Sequence, residues 1–535
     1  MIRRSAAVAC LAVVTLAACQ GDAPLLAPTS PQLADVPGGE KQWAVVFNQP
    51  SGLPQNVDKI VADAGGTITG HLAEIGSITV ASANPNFAAR IAGNAQVKFV
   101  EEDIEVQMIP RGEDDSQGAS LTELALAAGE NGEPGPAEPA GPDPQPGMDK
   151  LYNQQWDKMR MNASAIGSYA VQRGRKEVVV GVLDTGAEVL PVPHPDIAPN
   201  LDFARSRSFL RPSFGVEGDP NPARWDDKNG HGSWCLSAVG APINVVGISG
   251  VAPNVTLVAL KVLGDNGSGS FTGIARALIY AGNNKFDVAS MSIGGFLRHA
   301  NGGQALVTIL QRAVQFARAS GVTPIAALGN DNFNLADGAF FRDFIEVPAE
   351  LPGVIGVSAT GYTNRKAFYS NYGVGKTDVS APGGGSTTFD PMPPNYLGFG
   401  RLLGAYASEA IGTIRPVFRE EQCAPAAEGG ACSYYAYIRG TSMATPNAAG
   451  VAALIVSQYG DFTPDGSRKL HMSPTRVESI LQQTANNQAC VDNGPFPGPL
   501  AIFDAQCQGG AGGYTSFFGK GIVDALKAVT SGGGS

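Results

Sequence analysis

Charge is scarce in this 535-residue sequence: Asp, Glu, Lys and Arg make up 16% of it, against 43% hydrophobic residues. The formal net charge is −11 and no basic patch stands out, so nucleic acid is not an expected partner. Histidine is rarer still, with five in all: His71, His194, His231, His299 and His471. Long apolar runs are also missing. After residue 18 no segment stays apolar long enough to cross a bilayer as a helix. Cysteine is sparse, at seven. Glycine, by contrast, is abundant at 68, as expected of a low-charge globular chain with many tight turns. The length exceeds one small core and calls for two or more folding units.

The first apolar run has a specific form. Arg3 and Arg4 precede an apolar stretch from Ala6 to Ala18, too short to span a membrane, which reads as a cleaved export signal over residues 1–18. It ends in Leu16-Ala17-Ala18-Cys19, similar to a bacterial lipobox, in which Cys19 would carry lipid. Residues 19–40 are rich in Pro, Ala and Gly and read as a tether. Export favours disulfides. Once Cys10 and Cys19 are set aside, Cys423–Cys432 and Cys490–Cys507 suggest themselves as short loops with Cys235 left over, although sequence cannot fix the pairing.

Residues 41–108 give the order β-α-β-β-α-β, a small α+β, ferredoxin-like unit. Strands are expected at Gln42–Phe47, Thr67–His71, Glu74–Ala81 and Val97–Val100. Helices are expected at Pro54–Ala64, ended by Gly65-Gly66, and after Asn84-Pro85. Residues 109–149 form a linker. Positions 109–147 hold seven Pro, seven Gly, eight acidic residues and one Arg, too little apolar surface to fold. Such a stretch is an expected site of nicking. In residues 150–535 short apolar runs (Val178–Leu183, Leu257–Val262, Val288–Met291, Val322–Leu328, Val354–Val357) alternate with helical patterns such as Gly273–Ala281 and Gln304–Ala319. This predicts an α/β domain with a doubly wound, mainly parallel sheet. Its active residues would gather beyond the carboxyl ends of the strands.

Three segments carry chemistry. Ser442 stands at the start of an apolar helix pattern, where unpaired N–H groups and the positive dipole end favour developing negative charge. Asp184 closes the apolar strand Val178–Leu183 and could orient another group. His231 lies between Gly230 and Gly232 and could shuttle a proton near neutral pH. Taken singly they also read as a plain helix cap, a turn Asp and a loop His. Together they supply a hydroxyl, the base that activates it and the carboxylate that holds the base.

In these segments the chain resembles the subtilase family of serine proteases. Leu183-Asp184-Thr185-Gly186, Asn229-Gly230-His231-Gly232 and Gly440-Thr441-Ser442-Met443-Ala444 match its three signatures, in the order Asp, His, Ser. The resemblance implies a serine endopeptidase with Asp184, His231 and Ser442 as its triad. Asn330, in Ala326-Ala327-Leu328-Gly329-Asn330, would serve as oxyanion donor beside the Ser442 N–H. Loss of such a donor costs about 3–4 kcal/mol of barrier in subtilisin itself. Gly267-Ser268-Gly269 and Ser292-Ile293-Gly294, with Gly329, would clasp an extended peptide. Asp331 would stand at the rim of the pocket for the residue on the acyl side of the cut bond (P1), where it is expected to disfavour acidic residues. Asn447, just after the signature Pro446, is a position where relatives vary. Cys235 resembles the free Cys of the proteinase K-like branch and reads as a small buried hydrophobe.

The resemblance also gives residues 41–108 a meaning, as a propeptide that assists folding and inhibits. A precursor lipid-anchored through Cys19 would then be cut near residues 108–112 and release a protease domain outside the cytoplasm, extracellular or periplasmic. No cofactor or catalytic metal is expected. Relatives often bind structural Ca²⁺, but no run of Asp or Asn here has the spacing of a calcium loop, and the question stays open. The expected partners are protein or peptide substrates and the chain's own propeptide, with the enzyme a monomer. An inert binding lipoprotein of the same fold is the alternative reading.

Overall fold

The computed structural model describes residues 40–107, 147–211, 221–298, 302–339, 341–393, 396–424, 430–462 and 470–531. The signal segment, Cys19 and its tether, and linker positions 108–146 lie outside the described residues.

The first unit is built from β1 (Lys41–Phe47), α1 (Val57–Ala64), β2 (Thr67–Leu72), β3 (Ser77–Ser82), α2 (Phe87–Ala92) and β4 (Val97–Glu102). Its antiparallel sheet has the order β2-β3-β1-β4, which places the first strand between the third and fourth. Val45 and Phe47 of β1 and Ile78 and Val80 of β3 point at Ile60, Val61, Phe87 and Ile91 of the two helices. Ala44 and Val46, on the opposite face of β1, are buried as well, so the sheet is covered on both faces. Gly65 ends α1 in the left-handed conformation. Glu74, expected within a strand, lies instead in a single 3₁₀ turn, Ala73–Ile75, closed by Gly76, so the strand starts later.

The larger unit is organised around a seven-stranded sheet. It contains β6 (Val179–Asp184), β7 (Arg207–Ser208), β8 (Thr256–Lys261), β10 (Val288–Met291), β12 (Thr323–Ala327), β14 (Ile355–Thr360) and β15 (Val379–Pro382). The order is β15-β14-β12-β10-β6-β8-β7, and every pairing is parallel. Strand order reverses beside β6, with β8 on one side and β10 on the other, so the carboxyl ends of β6 and β10 flank a switch point. One face carries α4 (His231–Gly240) and α7 (Thr441–Tyr459), the other α5 (Phe271–Asn283) and α6 (Gln304–Ala319). The doubly wound, mainly parallel α/β sheet expected from the sequence is the one observed. The short helix α3 (Trp156–Arg160) belongs to the same core, with Trp156 1% exposed. A small antiparallel sheet of β16 (Leu402–Tyr406), β17 (Arg419–Cys423) and β18 (Cys432–Ile438) was not anticipated. Disulfides join Cys423 to Cys432 and Cys490 to Cys507, and Cys235 is free and buried.

The two units share an interface with both apolar and polar contacts. Ala44, Val46, Leu72 and Ile75 enter the core that covers α5 and α6. Arg312 of α6 donates to the carbonyls of Phe47 (3.3 Å), Gln49 (3.2 Å) and Ile75 (3.0 Å). Glu101 accepts from the Gly303 and Ala305 N–H groups at the start of α6, where the helix dipole favours a carboxylate. Buried Asp103 pairs with Arg211 and accepts from the Thr272 hydroxyl at 2.5 Å. Finally β5 (Glu105–Gln107) lies antiparallel along β9 (Ser268–Ser270), with Val106 opposite Gly269.

Charged donors on carbonyls contribute about 1.5–3 kcal/mol each. Arg312→Ala is therefore expected to loosen the first unit by about 2 kcal/mol. Hydrogen exchange on the full-length chain checks this through faster exchange across β1 and β3 with the seven-stranded sheet unchanged.

Candidate active site

Asp184 is the last residue of β6 and is wholly buried. Its Oδ1 accepts from the Thr185 N–H at 2.7 Å and meets His231 Nδ1 at 2.8 Å. His231 is not a loop histidine. It opens α4, buried, directly after Gly230, whose φ of +98° and contact with the Tyr406 ring leave no room for a side chain.

The start of α4 is held by Asp227, which sequence reasoning missed. Its Oδ1 accepts from the N–H groups of Asn229 (3.0 Å) and Gly230 (2.9 Å) and from Thr185 Oγ1 (2.9 Å). Its Oδ2 accepts from the N–H and hydroxyl of Ser233 at 2.8 and 2.7 Å. Thr185 Oγ1 in turn accepts from the Gly232 N–H at 2.8 Å. One carboxylate thereby ties the helix carrying His231 to the strand end carrying Asp184. The signal available in the sequence was an Asp four residues before a glycine-flanked His, where an acid can cap a helix.

Ser442 is the second residue of α7. Four residues later stands Pro446, which has no N–H to give the Ser442 carbonyl. That carbonyl instead accepts from Ser292 Oγ at 2.7 Å, with the Cys235 thiol at 3.7 Å. The Ser442 hydroxyl donates to the Ser292 carbonyl at 3.1 Å. Cys235, one turn along α4, also lies 3.9 Å from His231 Nδ1, so it touches both the imidazole and the serine. Burial, then the charge of Asp184, pushes its thiol up to about 12, so it remains a protonated, inert sulfur. Burial works against the charged form of His231, but the charge and hydrogen bond of Asp184 outweigh it and hold the imidazole well above its usual range.

Asn330 follows β12. The Thr441 N–H and hydroxyl both reach its Oδ1, at 2.8 and 2.9 Å. A backbone N–H can only donate, so the amide must turn its oxygen there and its Nδ2 elsewhere. That Nδ2 is buried with no hydrogen-bond partner among the described residues. An orphaned donor beside the serine suits a developing oxyanion. The structure thus brings together Asp184, His231, Ser442, Asn330 and Ser292. Ser268 and Gly269 lie in β9, opposite Gln107 and Val106 of β5, and Gly267 immediately precedes that strand. Ser292-Ile293-Gly294 and Gly329-Asn330 stand just past β10 and β12, which pair in parallel. Cys19 lies outside the described residues.

Asn447 has a larger part than its variability suggested. Its amide bonds the Pro382 carbonyl (3.0 Å) and Asp157 (3.2 Å), and its oxygen accepts from Lys158 Nζ at 2.6 Å. This pins α3, with its buried Asp157–Lys158 pair, to the helix of Ser442. Two clusters of metal-ligating residue types occur among the described residues. In one, Glu421 with Cys423 and Cys432, the sulfurs are bonded to each other; the other is Asp184, His231 and Cys235.

Residues 175–509 match the Subtilase family, peptidase S8. Alkaline elastase YaB from Bacillus sp. (strain YaB) is 36% identical over 352 residues, 66% of this chain and 64% of that one. Subtilisin Savinase from Lederbergia lenta is 34% identical over 278 residues, 52% of this chain and 76% of that one. The alignment spans only 53% of the alkaline protease of Alkalihalobacillus alcalophilus. Among solved structures, an epidermin leader peptide processing serine protease from Staphylococcus aureus superposes with TM-score 0.66 at 18% identity, covering 92% of this chain and 100% of that one. Fervidolysin from Fervidobacterium pennivorans, a keratinolytic enzyme related to subtilisin, gives 0.58 at 21% identity, covering 93% and 62%. At these identities the two structures speak to the fold alone.

A base works only when neutral, so a raised His231 pKa puts the acid limb of any rate–pH profile on the alkaline side of ordinary imidazole. Asp184→Asn removes the charge that raises it. The limb should move to lower pH, while kcat falls by about four orders of magnitude. Rates on a peptide substrate between pH 5 and 10 check both signs.

Proposed function

The chain belongs to the subtilase family, and from that premise we propose that it is an exported serine endopeptidase made as a self-processing precursor. The observation that carries this reading is the buried Asp184–His231 hydrogen bond beside Ser442, with Asn330 Nδ2 left as an orphaned donor. His231 takes the proton of Ser442 as its oxygen attacks the peptide carbonyl. Asp184 orients the ring and stabilises the imidazolium. Asn330 Nδ2 and the Ser442 N–H hold the oxyanion. His231 then protonates the leaving amine, and water releases the acyl-enzyme. This chemistry needs no cofactor.

The unit before the linker acts as propeptide. Support comes from β5, which runs along β9 as an added strand in the manner of a bound peptide. Its other anchors are a small apolar contact from Ala44, Val46, Leu72 and Ile75 and two carboxylates, Glu101 on the first N–H groups of α6 and Asp103 on Arg211 and Thr272. Such an interface suits a partner that must leave. The body of the enzyme starts early, since Met148, Tyr152 and Trp156 are core residues, so trimming has to stop before them. Cleavage in the linker would separate this body from a lipid on Cys19. The precursor is anchored at the membrane and the product is free, outside the cytoplasm.

Wild type and Ser442→Ala, expressed side by side, test this. The wild type should shorten by its N-terminal segment, digest casein and take up a serine-directed phosphonate. Ser442→Ala should stay full length, inert and unlabelled. A wild type that remains full length, inert and unlabelled would sink the reading in favour of a binding lipoprotein. Detergent fractionation tests the anchor, with mature enzyme expected in the aqueous phase. Asn330→Ala should lower kcat by about 10²–10³-fold with little change in KM.

A further inference from the structure

One buried acid has no part in the chemistry above. Glu346 lies in β13 (Phe344–Val347), which pairs with β11 (Gly295–Arg298) so that Glu346 stands opposite Phe296. It is 3% exposed. Its carboxylate accepts from the Gly295 N–H and occupies the space that a side chain on Gly294 would need. Among the described residues no Lys or Arg pairs with it. Its neighbour Glu350 is satisfied, by Lys376 and by the Glu346 N–H at 2.6 Å. Burial, then Asp331, then Glu350, pushes the Glu346 carboxyl well above the usual range. Asp331 is thus close enough to be felt. It hydrogen-bonds the Asn371 amide (3.4 Å), and its Oδ2 lies 3.6 Å from where a side chain on Gly329 would begin.

These positions define a slot. Its walls are Ser292-Ile293-Gly294 and Leu328-Gly329-Asn330, the segments leaving the paired ends of β10 and β12. Its mouth is at Ser442 Oγ, which rests on the Ser292 carbonyl, and at Asn330 Nδ2. A peptide whose carbonyl carbon sits on Ser442 with its oxygen toward Asn330 must place its P1 side chain between those walls. Each wall has a glycine with an acid behind it, Glu346 at Gly294 and Asp331 at Gly329. A buried carboxylate without a counter-charge is costly to a fold, and an incoming cation relieves that cost.

Resting on the peptidase reading, we infer that Glu346, with Asp331, makes this slot select a basic P1 side chain, arginine or lysine. Glu346 is then a specificity residue at the floor and Asp331 one at the rim, and both leave acyl transfer to the triad. The chain contains one residue of this class between Gln107 and Lys150, Arg111, four positions beyond the last residue paired with β9.

The test uses the full-length chain as expressed and chromogenic tetrapeptides that differ only at P1: Arg, Lys, Leu, Phe and Glu. Wild type should favour Arg and Lys over Leu and Phe by at least tenfold in kcat/KM. Glu346→Gln should lower the Arg-to-Leu ratio by roughly 30-fold or more, as losing one partner of a buried charge pair does. Asp331→Asn should lower it by less. A wild type that prefers Leu or Phe overturns the inference, as does an unmoved ratio in a Glu346→Gln protein that melts like wild type. If Glu346→Gln does not fold, the wild-type order and the Asp331→Asn ratio decide. Loss of all cleavage in the wild type, with Ser442 unlabelled by phosphonate, would overturn the peptidase reading and this inference together. A phosphonate-labelled enzyme that prefers apolar P1 would overturn this inference alone.

Discussion

The 2.8 Å contact between Asp184 and His231 is the constraint around which the rest of the larger unit is arranged. A carboxylate and an imidazole in a dry interior are expensive unless each satisfies the other and both are held from behind. The strand end supplies one support through the Thr185 N–H, and Asp227 supplies the other by gathering the first N–H groups of α4. Neither partner could be placed by local structure alone. The strand fixes the carboxylate, the helix start fixes the ring, and Asp227 with Thr185 sets one against the other.

A second constraint concerns Ser442. At a helix start it gains unpaired N–H groups that suit an oxyanion, yet a regular helix would bind its carbonyl four residues on. Pro446 removes that bond, and Ser292 and Cys235 take the carbonyl instead. The same Ser292 meets the serine hydroxyl and begins one wall of the acidic slot, so nucleophile position and pocket position are coupled. Cys235, barred from ionising by burial and by Asp184, fills the space between base and serine.

The first unit meets the second through carboxylates on helix N–H groups and a guanidinium on carbonyls, beside a small apolar contact. Such contacts depend on geometry more than on area. They fix the register of β5 against β9, while the first unit keeps an apolar core of its own under its two helices and lends Ala44, Val46, Leu72 and Ile75 to the core around α5 and α6. That separate core lets the first unit stay folded when it departs.

Much of this was legible in the sequence. Apolar runs such as Val288–Met291 have the length and composition of strands buried on both faces, so the parallel sheet could be read from them, and the β-α-β-β-α-β order of the first unit followed from period and turn residues. The three signature segments named the residues that would meet, because a hydroxyl, a base and a carboxylate make chemical sense only together. What the sequence could not give was partnership across long separations. Asp227 as the clamp of α4, Asn447 as the bridge to Asp157 and Lys158, and Glu346 behind Gly294 are ordinary polar residues until folding decides what faces them. The small sheet of β16, β17 and β18 was hidden for the same reason, since short strands of mixed polarity are stabilised by their neighbours rather than by their own pattern. Local periodicity and residue chemistry are written along the chain, whereas the desolvation that turns a carboxylate into a clamp or a pocket floor exists only once distant segments have closed around it.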